Sequence, residues 1–179
     1  KTTERKTNPK IRLRQRIPQT KTQAEKNSPL QDFYKTLGAT LKPIVDFNWI
    51  SLNVMGNYRK QATSEQRKLF KEVFTTGLVE TYGRGLLSYS DQKIIVHPLA
   101  DSDKDKRKVV VNQEIRGADK SYPLQYSMGL NRDGQWKVIN VIINGINLGQ
   151  TFRNQFDQAA ATYNGDIDKV IANWSISES

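Results

Sequence analysis

The run Trp136-Lys137-Val138-Ile139-Asn140-Val141-Ile142-Ile143-Asn144-Gly145-Ile146-Asn147-Leu148 constrains this chain more than any other stretch. Read at a strand's period of two, one face carries Trp136, Val138 and Ile142, and the other carries Ile139, Val141 and Ile143. A strand in a two-layer domain needs only one apolar face. The second face calls for another protein layer, a partner or an apolar ligand.

The sequence around this run places it in a meander. Ile94-Ile95-Val96 reads as a first short strand. Val109, Val111 and Ile115 alternate with Val110, Asn112 and Glu114, and Leu124, Tyr126, Met128 and Leu130 alternate with Gln125, Ser127 and Gly129. Polar turns at 101–106 and 117–120, and Asn131-Arg132-Asp133-Gly134, separate these segments. Such short connections predict four antiparallel strands in sequence order.

Helical patterns flank the strands. Ser28-Pro29 supplies a cap and a first-turn proline, followed by Leu30, Phe33, Leu37, Leu41 and Ile44 at helical spacing, with an end near Lys42-Pro43. A second helix is expected over 47–56. Thr63 and Gln66 form a capping-box pattern opening the longest helix, 64–88, with Leu69, Phe70, Val73, Phe74, Leu78, Tyr82, Leu86 and Tyr89 as its apolar positions. These cover more than one stripe, so the helix is expected to lie across the sheet as its main cover. Gly77, Gly83 and Gly85 inside it each cost about 1 kcal/mol relative to alanine. Their return is room for a close backbone approach, a kink or a ligand. After Asn144-Gly145, Phe152, Phe156 and Ala160 share a helix face, and Asp166 or its neighbour starts a last helix carrying Ile167, Val170, Ile171 and Trp174. The expected fold is α+β: a curved four-stranded antiparallel sheet with helices on its concave side, in one domain over 29–176.

The net charge is +10, and residues 1–26 hold nine basic residues against two acidic ones, which accounts for +7 of it. Residues 1–28 therefore read as a basic arm, either solvated or partly helical over 9–17, able to attract nucleic acid or anionic lipid. The chain begins at Lys1 rather than a methionine, which fits removal of an upstream segment such as a signal peptide. With no cysteine, disulfides and thiolate metal sites are excluded. His97 is the only histidine and precedes Pro98 at a strand end, so it reads as a turn residue rather than a catalytic base. Asp101, Asp103 and Asp105 lack the glycine and distant glutamate of a calcium loop. Asp46 and Asp157 read as cap or surface acids. No catalytic residue, metal ligand or cofactor motif emerges. The alternatives left open are a small α+β enzyme with a polar pocket, a nucleic-acid binder acting through the basic arm, and a structural adaptor.

Several stretches in order resemble the MlaC family of periplasmic phospholipid-binding proteins of Gram-negative bacteria. They are Leu41-Lys42-Pro43-Ile44-Val45-Asp46-Phe47; Ala62-Thr63-Ser64-Glu65-Gln66-Arg67 with Phe70 and Phe74; Thr81-Tyr82-Gly83; and Leu86-Leu87-Ser88-Tyr89. Tyr122-Pro123-Leu124-Gln125-Tyr126, Gly134-Gln135-Trp136-Lys137-Val138, Asn144-Gly145-Ile146-Asn147-Leu148, Phe152-Arg153-Asn154-Gln155-Phe156 and Gly165-Asp166-Ile167-Asp168 continue the series. The resemblance covers about 29–174, and the basic arm matches poorly. It implies a periplasmic, non-enzymatic monomer without a cofactor. Its cargo would be a glycerophospholipid whose acyl tails lie in an apolar cavity between sheet and helices. It also implies partners: an outer-membrane lipoprotein–porin complex, and an inner-membrane ABC transporter with a membrane-anchored substrate-binding subunit. Transfer between them maintains outer-membrane lipid asymmetry, and nucleic acid plays no part. Candidate cavity walls are Val73, Phe74, Leu78, Tyr82 and Leu86 on the long helix and Val111, Tyr126, Met128, Val138 and Ile142 on the sheet, with Phe152 closing one end. Each serves equally as ordinary core, because core and pocket residues share one periodicity. Arg153 is a candidate head-group neighbour, with an ion pair to Asp157 as the plainer account.

Overall fold

The computed structural model describes residues 28–87, 92–100, 103, 105–117 and 119–176, apart from the side chain of Leu86. The basic arm, with the partly helical alternative over 9–17, lies outside the described residues, as does Tyr89.

Local chemistry sets the helix starts. Ser28 caps α1 (Pro29–Leu41) and Asp46 caps α2 (Phe47–Val54), each side chain accepting from a backbone N–H three residues on. A 3₁₀ turn (Gly56–Lys60) leads to α3 (Ser64–Leu86). Both halves of the Thr63–Gln66 capping box form at its start, satisfying two amides that a helix end would otherwise leave unpaired. Helix α4 (Leu148–Thr162) is capped by Asn147, and α5 (Ile167–Ala172) by Asp166. The Lys169 backbone N–H and side chain hold the Asp166 carboxyl below its ordinary pKa.

The strands are β1 (Lys93–Val96), β2 (Lys108–Arg116), β3 (Ser121–Leu130), β4 (Trp136–Ile143) and β5 (Ile146–Asn147), all antiparallel and paired in sequence order. The four expected strands are present, and β5 extends the sheet by two residues. At its other end, β4 exchanges backbone hydrogen bonds with the α1–α2 connection: Val138 N–H donates to Ile44 and Asp46 N–H donates to the Val138 carbonyl. Helix α4 is tied to β4 through Asn140, whose Oδ1 accepts from Gly149 N–H and whose Nδ2 donates to the cap residue Asn147.

The buried cluster around Phe70, Phe74, Phe152, Phe156, Val54, Met55, Val170 and Ile171 comes from helices and the turns between them. Its aromatic rings meet edge to face, Phe70 with Phe156 at 5.0 Å and Phe74 with Phe152 at 5.5 Å between centroids. Helix α1 lies against α3 at Gly83, where an added Cβ would come within 2.9 Å of Leu37 and 3.3 Å of Tyr34. At Gly77 the space is taken by Ile176. For these two glycines the room serves helix packing.

Candidate functional site

Two apolar surfaces result, and the register of the sheet defines the second. Paired residues in an antiparallel sheet point to the same side. Val109, Val111 and Ile115 pair with Met128, Tyr126 and Tyr122, while Tyr126 and Met128 pair in turn with Val141 and Val138. Val138 and Val141 are three residues apart yet share a face, because the register shifts between Ser127 and Met128 and leaves Ile139 as the extra residue of a bulge. Strict alternation across 136–143 is therefore wrong. Trp136, Val138, Val141 and Ile143 lie on one face, and Asn140 and Ile142 on the other. Ile139 turns to that other face as well, where its Cδ1 lies 3.2 Å from the position of a Cβ on Gly129.

The first face joins Ile94 and Val96 of β1, Val109, Val111 and Ile115 of β2, and Tyr122, Leu124, Tyr126, Met128 and Leu130 of β3 to those four β4 residues. Val109, Leu124 and Val138 are buried. Val111, Tyr126, Met128, Leu130, Val141 and Ile143 are half-buried. None of them belongs to the helical cluster. Tyr126 is a polar group within this surface: its burial raises the phenol pKa, and a hydrogen bond with Gln113 partly offsets the rise.

The sequence-derived wall residues fall into two groups. Phe74 and Phe152 are buried in the helical cluster, with Val73, Leu78 and Tyr82 packed against it and the Tyr82 ring 6.4 Å from that of Phe152. Val111, Tyr126, Met128 and Val138 share the apolar sheet face. Ile142 does not join them, since the bulge puts it on the opposite face. Leu86 ends α3, and its side chain lies outside the described residues. Val141 and Ile143, which sequence alternation assigned elsewhere, complete the sheet face. A bulge leaves no periodic signal by which to find them.

Arg153 lies on α4 next to Phe152, with its guanidinium over the backbone of Gly56, where Nε is 3.2 Å from the position of a Cβ. The ion pair with Asp157 that the spacing allows is not formed. His97 follows β1, its N–H donating to the Asn112 carbonyl, and its Nε2 is 4.0 Å from Glu114. Ser121 also donates to Glu114, and with Arg116 it holds that carboxylate below its ordinary pKa. Serine and histidine thus both turn to the acid, rather than to each other as a nucleophile–base pair requires. Asp103 is engaged by Lys106 at 2.6 Å, as in a solvated turn. Among the described residues no group of three or more His, Cys, Asp or Glu could hold a metal ion, and no helix is long and apolar enough to cross a membrane.

A family model described as MlaC protein matches residues 13–175, reaching back into the basic segment. The toluene tolerance protein ttg2D of Pseudomonas putida is 42% identical over 145 residues, covering 80% of this chain and 66% of that protein. The intermembrane phospholipid transport system binding protein MlaC of Haemophilus influenzae is 29% identical over 118 residues, covering 64% of this chain and 55% of that protein. The chain thus spans less than two thirds of the length of either relative. The solved structure of a phospholipid-binding protein from Ralstonia solanacearum, in complex with a phospholipid, is similar at a TM-score of 0.73 and 26% identity, over 80% of this chain and 78% of that one.

Proposed function

The chain belongs to the MlaC family, and from that premise we propose that it is a non-enzymatic phospholipid carrier of the periplasm. It holds acyl tails against the apolar sheet face, on Val111, Tyr126, Met128 and Val138. On the helical side the cavity draws on Val73, Leu78 and Tyr82, which pack around the cluster that buries Phe74 and Phe152. Arg153, the head-group candidate of the resemblance, lines a pocket on the opposite face of the sheet from the four sheet residues. As a monomer it moves glycerophospholipid between an outer-membrane lipoprotein–porin complex and an inner-membrane transporter with a membrane-anchored substrate-binding subunit, and so maintains outer-membrane lipid asymmetry.

One observation carries this reading. The helices already have a closed aromatic core, and the sheet presents a second, half-buried apolar face that the core does not use. Apolar surface of that extent is a binding surface when it is not packing. The similarity to a protein solved with a phospholipid supports the same conclusion.

The energetics favour delivery by docking. Burying acyl chains gains about 0.8 kcal/mol per CH₂, so two ordinary tails gain on the order of 20 kcal/mol before ordering costs. Release into water is correspondingly slow, and a partner that opens the cavity is required. Organic extraction of the purified protein followed by mass spectrometry tests the reading. Phospholipid near one molecule per chain is expected. A blank extract from natively folded, mildly purified protein would overturn it.

A further inference from the structure

A pocket of about 180 Å³ lies on the opposite face of the sheet, between β4, α2 and the start of α4. Ser127 and Asn140, a cross-strand pair, assign it to that face. Ile50, Val54 and Ile139 give it an apolar floor, and its cations are Lys108 and Arg153. No carboxylate of the described residues lines its wall. The larger crevice between α1, α2, α3 and the β3–β4 turn, by contrast, sets Asp46 and Glu72 among its lysines.

Neither cation has an ion-pair partner among the described residues. Two uncompensated positive charges at one small cavity repel each other, and they would attract an anion. The guanidinium is also positioned. Gly56 has φ +55° and no Cβ, which lets the Arg153 side chain lie flat over its backbone. Several hydrogen-bonding groups nearby are already used. Gly149 N–H donates to Asn140, Gln150 N–H to Asn147, and the Asn53 amide to the Trp49 carbonyl. The charged groups and the Ser127 hydroxyl make none of the hydrogen bonds described.

We propose that this pocket is a binding site for a phosphate-class anion, held by Arg153 and Lys108. The guanidinium fork matches two phosphate oxygens, and the ammonium adds a point charge. The size fits a phosphate group with a small ester substituent. It lies below the roughly 300–1,000 Å³ of pockets that enclose a whole drug-sized ligand. The phosphate comes either from a lipid head group or from the surrounding solution. The site lies across the sheet from the acyl-binding face and does not depend on the carrier reading.

Inorganic phosphate titrated against chloride at constant ionic strength, followed by ¹⁵N amide shifts, tests the site in lipid-loaded and in delipidated protein. A saturable response at Asn140, Gly149 and Arg153 is expected. It should weaken about a hundredfold in R153Q/K108Q, which removes both charge-assisted contacts at roughly tenfold each. It should be unchanged in K42Q/K71Q at the larger crevice. Equal responses in both protein forms assign the site to free phosphate; a response only after delipidation assigns it to a lipid head group. Both support the site. No saturable response in either form, or one unaltered in R153Q/K108Q while the variant's amide spectrum stays native, overturns it. Because the response does not require acyl tails, failure of the carrier reading would appear separately in the extraction experiment.

Discussion

Asn140 shows how a single side chain can join two layers. It lies on the face of β4 opposite the apolar surface, accepts from Gly149 and donates to Asn147. The arrangement requires a bare Cα at position 149, because a Cβ there would come within 2.6 Å of the Asn140 Oδ1. A contact that close forces the amide away and leaves the Gly149 N–H without its acceptor. Gly149→Ala is expected to destabilise the protein by about 1–3 kcal/mol. In urea unfolding the midpoint should fall with the slope unchanged. A midpoint equal to wild type would show that the tie is not structural. Arg153 makes a related point. Its spacing suggested an ion pair with Asp157, but a distant glycine in the chain offers a flat surface that the guanidinium takes instead.

At the scale of elements, the bulge in β4 decides which residues act together. It gathers Val138 and Val141 beside Met128 and Tyr126 and turns Ile142 away. A carboxylate facing an acyl chain without a partner costs about 3 kcal/mol or more. Met128→Asp is therefore expected to purify with less than about a tenth of the wild-type phospholipid. Ile142→Asp should retain nearly all of it. Quantitative lipid extraction, with circular dichroism to verify both folds, distinguishes the two, and equal loss in both would refute the assignment of faces. Helix caps at Ser28 and Thr63 were legible in the sequence because capping involves residues three apart, while Asp46 and Asp166 were candidates that the structure makes caps. The meander was legible because alternation and turn residues are local as well. The bulge was not. It depends on what lies beside β4: β3 on one edge, and the 44–46 connection and β5 on the other. Strand β5 itself is two residues long and has no period to read. The helical walls at Phe74 and Phe152 were found as apolar positions, but periodicity could not say that their rings meet each other.

The molecule as a whole combines a helical core that is complete in itself with a sheet whose apolar face is not part of it. Under the proposed carrier function, that division separates what holds the fold from what would hold the cargo, and it has a thermodynamic signature. A ligand that binds only the folded state adds stability that grows with the logarithm of its concentration over its dissociation constant, about 4 kcal/mol at a thousandfold excess. For a chain of this size each kcal/mol moves the midpoint by about 2–4 °C. Removing the bound phospholipid is expected to lower the thermal midpoint by about 10 °C. The near-ultraviolet signal of the cluster containing Phe70, Phe74, Phe156 and Trp174 should persist at 25 °C, because those rings pack on one another. Scanning calorimetry of loaded and stripped protein, with near-ultraviolet circular dichroism of the stripped form, measures both. An unchanged midpoint would mean that the sheet face contributes no ligand binding. Loss of the aromatic signal would mean that cargo and core are one unit, and that the helical cluster depends on lipid for its packing.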